Sequence, residues 1–350
     1  MQKIFLSNGK NIDISELKKQ DKILGPNGLI KNIISTKVIN GSCFKITPMK
    51  GDSFIISENQ KLSLVMSKNP RRDGEILEIS PENLLSNKKI IDSYKLYRTI
   101  INDIWEDKDL KIDPYFLGVL LGDGSGFGSG KTPEISKPDS EIRELVFTEA
   151  AKWNLEVREY GEPSNPTYRL VRPGVGHGRT GTPRSSHSLK RELDALGYRD
   201  MSCENRFVNN KYKFSSPNTR AEVLAGLLDT DGYYQRGGFG FTSKSNILAS
   251  DVQFLARSIG LAAYKRKVIK SCQNNFSGEY WAVSISGDCS IIKNRIKRKI
   301  AEKRISTKNV LRTGIKSIER LDNVSHSIIE VDGDGLIMLD DFTVIKYVAK

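Results

Sequence analysis

Residues 1 to about 100 carry short apolar runs, KIFL, KILG, KNIISTKVI, CFKI and SFIIS, separated by the turn formers SNGK, GPNG, INGS and MKGD. Short strands at regular spacing, with turn residues between them, predict a compact all-β unit. Two segments depart from it. DISELKK reads as a single helical turn, and SPENLLS as a short helix with Ser80 as N-cap and Pro81 in the first position. From about residue 113 the period changes from two to between three and four. DPYFLGVLLGDG predicts an apolar helix capped by Asp113 with Pro114 in its first turn, and DSEIRELVFTEAAKWN predicts a second helix. The stretch GEPSNPTYRLVRPGVGHGRTGTPRSSHS suits strands and long loops. SLKRELDALG, TRAEVLAGLLDTDG and SNILASDVQFLARSIG predict helices, the last closed by Gly260, and FGFTSKS and YWAVSIS predict strands. Residues 290–316 are strongly basic and predicted to be partly helical, and HSIIEVDGDGLIMLDDFTVIKYV returns to short strands and turns. The order is a β unit, an α/β middle and a β ending.

Composition sharpens this picture. A chain of 350 residues suggests about two domains, and 55 Lys and Arg against 42 Asp and Glu leave a formal charge of +13. That surplus favours a polyanionic partner, most simply nucleic acid. The N-terminus turns polar within a few residues, so no secretory signal is expected, and no run of 18 apolar residues predicts a membrane span. Cys43, Cys203, Cys272 and Cys289 are scattered with no C-x-x-C pair, which predicts reduced thiols in an intracellular protein, cytoplasmic or nucleoid-associated, or nuclear or organellar in a eukaryote. His177, His187 and His326 are thin material for His-based catalysis or a metal site, and His177 and His187 are expected to face nucleic acid or solvent. Trp105, Trp153 and Trp281 are expected in the core.

The middle contains an internal repeat, FLGVLLGDG at 116–124 and LAGLLDTDG at 224–232. Gly118 and Gly122 share one helical face, as do Gly226 and Thr230, and small residues at that spacing let two helix backbones approach closely. Packed together, the two helices bring Asp123 and Asp231 side by side at their C-termini. Like charges repel there, and the negative ends of the helix dipoles add to the repulsion. A divalent cation would neutralise the pair, and oxygen-only ligands suit Mg²⁺ or another hard cation such as Mn²⁺ or Ca²⁺. In a basic protein, paired acidic ligands of this kind point to phosphodiester hydrolysis.

FLGVLLGDG and LAGLLDTDG, followed by FTSKSNILASDVQFLARSIGL, resemble the paired motifs of the LAGLIDADG homing endonucleases over roughly 110–312. The resemblance implies an α+β fold, a pseudo-symmetric pair of αββαββα halves with the motif helices between them and two antiparallel sheets forming a saddle over DNA. It implies that Asp123 and Asp231 are the metal-binding acids. ILGPNGLIKNI, CFKITPMKGDSFIISENQKLSL and IIEVDGDGLIMLDDFTV resemble the N- and C-terminal blocks of the Hint (intein) splicing fold. Together these imply a Hint-like β domain over 1–110 and 315–350, interrupted by an endonuclease domain over 111–314 whose halves are about 111–205 and 206–314. The splicing positions depart from the family pattern. Gln60 stands in place of the Block B His, Lys346 and Tyr347 stand where His and Asn close an intein, and the start of the chain shows no nucleophile. Splicing is therefore expected to be lost.

The same resemblance implies one basic residue per half near the active site. Arg206 takes the first place, in MSCENRFV, with charge stabilisation rather than general-base chemistry expected of it. Lys303, with Arg304 and Lys299 as neighbours, takes the second. DNA-contacting candidates are Tyr234, Gln235, Arg236 and Lys244 after the second motif, Lys265, Arg266 and Lys267 on the next strand, and Arg169, Arg172, Arg179 and Arg184 in the Gly-rich stretch. Alternation on a strand turns half of such a set away. The run from Lys293 to Lys316 is expected to act as a phosphate rail. The sequence thus favours a monomeric, metal-dependent endonuclease cutting a long asymmetric double-stranded DNA site, without a membrane. A non-cleaving DNA binder or RNA maturase of the same fold, and an engineered or truncated self-splicing intein, are the competing readings.

Overall fold

The computed structural model describes residues 2–102, 104–107, 109–128, 131–174, 187–271, 277–304 and 309–347. The chain divides into two compact units, Met1–Ile104 with Thr307–Lys350, and Trp105–Ser306. The second is inserted in the chain of the first, and the divisions fall somewhat N-terminal to residues 110 and 314.

The discontinuous unit is built on two long antiparallel strands, Ile30–Pro48 and Ile315–Val331, which run from Ile315↔Pro48 to Val331↔Ile33 with three irregularities. Lys22–Leu24 and Phe54–Ser57 pair with the first of them. A second sheet places Leu336–Met338, Val344–Tyr347, Gln60–Met66 and Ile76–Ile79 in that order, with Tyr94–Leu96 also paired to Gln60–Met66. Their inward residues, among them Ile4, Phe44, Ile46, Leu62, Leu64, Ile337 and Ile345, form one apolar core. The expected caps are present: Ser80 accepts from the Asn83 amide at 3.3 Å, with Pro81 in the first position, and Asp13 caps a single 3₁₀ turn, Ile14–Glu16. Gln60 and Tyr347 are buried cross-strand partners, and Gln60 Oε1 accepts from the Ser57 amide at 2.6 Å. Lys346 lies 2.8 Å from Glu78.

The inserted unit repeats one pattern. Its first half runs α1 (Pro114–Asp123), β1 (Gly124–Ser125), β2 (Glu134–Ser136), α2 (Ser140–Lys152), β3 (Glu156–Glu162), β4 (Asn165–Val171) and α3 (Ser188–Ala195). Its second half runs α4 (Pro217–Asp231), β5 (Gly232–Gln235), β6 (Gly238–Ser243), α5 (Asn246–Ser258), β7 (Ala262–Ser271) and β8 (Ser277–Ser286). The sheets are ordered β1-β2-β4-β3 and β5-β6-β8-β7, the same αββαββ topology twice. Asp113, Ser216 and Ser245 cap α1, α4 and α5 as N-cap acceptors.

Among the described residues of the second half no closing helix follows β8. Residues 289–299 hold only the 3₁₀ turns Cys289–Ile291 and Lys297–Lys299. Asp229 of α4 takes the backbone amides of Arg295 and Ile296, at 2.7 and 3.3 Å, which fixes this segment outside a helical path. A dense row of like charges also disfavours a helix there. Among the described residues, no helix is long and apolar enough to cross a membrane.

Candidate active site and nucleic-acid interface

The site begins with two helices that touch backbone to backbone. A Cβ placed on Gly118 would lie 2.9 Å from Gly226 Cα, and one on Gly226 would lie 2.9 Å from Gly118 Cα and 2.8 Å from Val119 N. Real Cβ atoms do not approach so closely, so only glycine permits this crossing. One turn on, Thr230 packs its side chain against Gly122 and donates its hydroxyl back to Gly226 O at 2.8 Å. The crossing fixes the register, so Asp123 and Asp231, each the last residue of its helix, converge.

Their convergence is felt electrostatically. Asp231 reaches solvent, yet its carboxyl is pushed up to about 6. Crowding by surrounding protein is the largest cause and the charge of Asp123 the second, while Arg206, Lys137 and Lys299 pull the other way. Lys137 lies 2.8 Å from Asp123 Oδ2 and also donates to Thr230 O at 2.8 Å, bridging the ends of the two helices.

Each helix end is closed by one basic residue, and the two arrangements match. Arg206 donates to Leu121 O and Gly124 O, both at 2.7 Å, and to Gly122 O. Lys299 donates to Leu228 O at 2.8 Å, Asp229 O at 2.7 Å and Gly232 O at 2.6 Å. Two of these carbonyls, two residues before and one residue after the acid, occupy the same places in both halves. Leu228 O already accepts from the Gly232 amide, whereas the later carbonyls of each helix end have no donor within the helix and are satisfied by the cation. Lys299 is buried, and burial first, then the charge of Lys137, lowers its ammonium to about 8. Lys303, in contrast, is exposed, so Lys299 takes the place the sequence had assigned to Lys303.

Asp229 delivers Lys299. Its buried carboxylate accepts from Tyr115 Oη at 2.6 Å and Asn294 Nδ2 at 2.8 Å, besides the two amides of the 295–296 backbone. Asp229→Ala would orphan these donors and is expected to cost about 3 kcal/mol in urea unfolding. It should also release Lys299 from its carbonyls.

Strand parity sorts the interface residues. In the second sheet Phe239, Phe241, Val283 and Ile285 are buried on the side that carries α5. Lys265 belongs to that side, bonding Asn246 Oδ1 at 2.7 Å and Ser250 Oγ at 2.6 Å of α5. Tyr234, tilted against the Phe239 ring at 4.9 Å, and Lys267, paired with Glu279 at 2.7 Å, share its parity. These three point away from the open face. Tyr233, Gln235, Lys244, Arg266, Lys270 and Tyr280 have the opposite parity, and the Lys244 and Lys270 ammoniums lie 5.9 and 6.0 Å from the Tyr280 ring centre. Arg236 sits in the β5–β6 turn with φ 54°. In the first sheet Ile135, Tyr168 and Leu170 are buried, and Arg169 lies on the opposite, open face.

Other expectations are corrected. His187 is buried, not exposed: its ring caps α3 by accepting from the Lys190 amide, and Nε2 meets Leu170 O at 2.9 Å. Burial first, and then the charges of Lys190 and the half-buried Arg172, favour the neutral form of the His187 ring. Trp105, Trp153 and Trp281 are half-buried rather than core. Within the described part of the basic run Lys299 is interior, whereas Lys293, Arg295, Lys297, Arg298, Lys303 and Arg304 are exposed, Arg295 pairing with Glu222 at 3.0 Å and lying 3.9 Å over Tyr115, and Arg298 pairing with Asp139 at 2.9 Å. Arg179, Arg184, His177 and Cys272 lie outside the described residues.

Residues 218–322 match a family described as the LAGLIDADG-like domain. The matched segment contains α4 from its second residue, Lys299 at the end of that helix, and the whole second sheet. Among solved structures, the homing endonuclease I-DmoI in complex with DNA and Mn is similar at 10% identity over 55% of this chain and 97% of that chain, with a TM-score of 0.33. I-WcaI bound to its DNA recognition sequence is similar at 14% identity over 65% of this chain and 100% of that chain, with a TM-score of 0.28. No curated protein matches the chain. The LAGLIDADG-like segment ends beyond the inserted unit, within the strand Ile315–Val331. Lys137 and Asp229 were not singled out by sequence reasoning. Asp229 carried a signal, a second acid inside the apolar motif helix, where a charge is tolerated only with partners.

Proposed function

We propose that the protein is a site-specific double-strand DNA endonuclease, acting as an intracellular monomer on a long asymmetric target through a divalent cation. The observation that carries this reading is the convergence of Asp123 and Asp231 at the ends of two helices that cross on Gly118 and Gly226. The Asp231 carboxyl is raised by burial first and by the charge of Asp123 second, and a bound cation would offset both. Among the described residues no cluster of three His, Cys, Asp or Glu side chains accompanies the pair, so the donor set is two hard carboxylates with the remainder left to water and phosphate. That set fits Mg²⁺, Mn²⁺ or Ca²⁺.

Asp123 and Asp231 would hold the cation, which when bound lowers the pKa of water and stabilises the leaving oxygen. Arg206 and Lys299 fix the helix-end carbonyls and so the direction of both carboxylates. Lys137 holds the two helix ends together and offsets the charge of Asp123. The +13 surplus and the open-face Lys244, Arg266 and Lys270 attract phosphates. One chain supplies two unlike halves, which suits an asymmetric site. A randomised plasmid library incubated with Mg²⁺ tests this: linear products with a shared sequence at the ends support it, and sequence-specific binding without cutting favours the non-cleaving reading.

The discontinuous β unit is read as a Hint-type splicing domain that no longer splices. Gln60 is a buried amide tied to the Ser57 backbone, Tyr347 is a buried phenol and Lys346 is ion-paired with Glu78. None supplies the imidazole or the cyclising amide that the family chemistry requires. A fusion between two flanking polypeptides is expected to yield no ligated product on gel or mass spectrum; a ligated product contradicts the reading.

A further inference from the structure

The two halves can be aligned residue by residue through strand register. Immediately after Asp123, Ser125 pairs with Glu134, and immediately after Asp231, Tyr233 pairs with Gly240. Across the next ladder Glu134 pairs with Arg169 and Gly240 with Ser284. Across the last, Arg169 pairs with Arg158 and Ser284 with Tyr264. The open-face row nearest the acidic pair is therefore Ser125–Glu134–Arg169–Arg158 in one half and Tyr233–Gly240–Ser284–Tyr264 in the other.

The two rows are chemically unlike. In the first, Arg169 Nε donates to Glu134 Oε2 at 3.0 Å and Arg169 Nη2 to Tyr160 Oη at 2.9 Å. Tyr160 Oη donates to the same Glu134 oxygen at 2.7 Å, and Ser125 Oγ to Glu134 Oε1 at 3.2 Å. Burial alone would raise the Glu134 carboxyl, but the bonds from Tyr160 and Arg169 hold it below its ordinary range, so it is ionised. In the second row a Cβ on Gly240 would overlap the Tyr233 ring, so the tyrosine lies against the sheet there with no charged group in the row.

A carboxylate on a face that meets a polyanion repels phosphates. The partner it favours on a duplex is an exocyclic amino group, that of cytosine for Glu, while Arg bonds the O6 and N7 edge of guanine. We propose that Glu134 and Arg169 form a base-edge reader selecting a C·G pair on one side of the cleavage centre, while the mirror-related position, under Tyr233 and Gly240, is tolerant. This rests on the nuclease reading and adds to it a specificity that is built into one half only.

The test is selection from a duplex library with a randomised core, by binding in Ca²⁺, with wild type, Glu134→Gln and Arg169→Ala. The wild type should enrich C·G roughly 10–100-fold at one position beside the centre and show a nearly flat profile at its mirror position. Arg169→Ala should flatten that position alone. Glu134→Gln should shift it toward A·T, because Gln bonds adenine N6 and N7; a misfolded variant cannot produce such a switch. If wild type enriches a site but both variants keep its profile, the reader is overturned and the nuclease reading stands. If wild type enriches no duplex, the nuclease reading falls and the reader with it.

Discussion

Asp123→Asn and Asp231→Asn are each expected to reduce plasmid cleavage in Mg²⁺ by roughly 1000-fold or more while leaving duplex binding in Ca²⁺-free buffer within a few-fold of wild type. The side chain keeps its shape and loses only the charge that would hold the cation. The same substitution at 231 has a second, opposite consequence without metal. The folded-state carboxyl of Asp231 is raised to about 6 from 3.8. Between those pH values the folded chain binds more protons than the unfolded one, so this residue's contribution to stability falls as pH rises from about 4 to about 6. Asparagine removes that loss. In EDTA, Asp231→Asn should therefore be more stable than wild type above pH 6, by on the order of 1 kcal/mol after solvent screening of an exposed carboxylate, or about 2–4 °C in Tm. The difference should vanish near pH 4. A variant that loses cutting because it is misfolded would move Tm the other way.

Gly118→Ala and Gly226→Ala are expected to be the most damaging substitutions away from the acids. A single methyl at either position meets backbone atoms, not the flexible end of a side chain: Gly226 Cα and Leu227 N at 2.9 Å from a Cβ on 118, and Val119 N at 2.8 Å from one on 226. Backbone cannot rotate aside, so the helices must separate, with a cost of about 3 kcal/mol or more in the interior they share. Separation also parts Asp123 from Asp231 and breaks the Lys137 bridge to Thr230 O. Activity should fall further than stability, with the double variant adding little to either single one. Urea unfolding and cleavage assays read the two effects separately.

The elements that carry the site were legible because their signals are local. Asp113, Ser216 and Ser245 act as caps, and Gly260 follows α5 with φ 101°. The glycine spacing in the two motifs predicted the helix crossing. The rest depends on register and long-range packing. A string such as KNRIKRKIAEKR does not reveal which cation turns inward; that is decided by Asp229, far away in the chain, which seizes the backbone at 295 and 296 and so selects Lys299 over Lys303. The parity of Lys265, Arg266 and Lys267 is likewise set by the pairing of Ala263 with Ile285 beneath α5, not by their own sequence. Lys137 follows the strand Glu134–Ser136, whose pairing with Gly124–Ser125 carries it to Asp123, and His187 looks like a loop residue until α3 needs a cap.

Crystals grown with Mn²⁺ and a duplex from the selected library put the central arrangement to the most direct test, through the anomalous signal of the metal. The account predicts a manganese peak in coordination contact with carboxylate oxygens of both Asp123 and Asp231, lost in either Asn variant. Manganese bound elsewhere on the protein, or touching one of the two residues while the other remains with Lys137 alone, would contradict it.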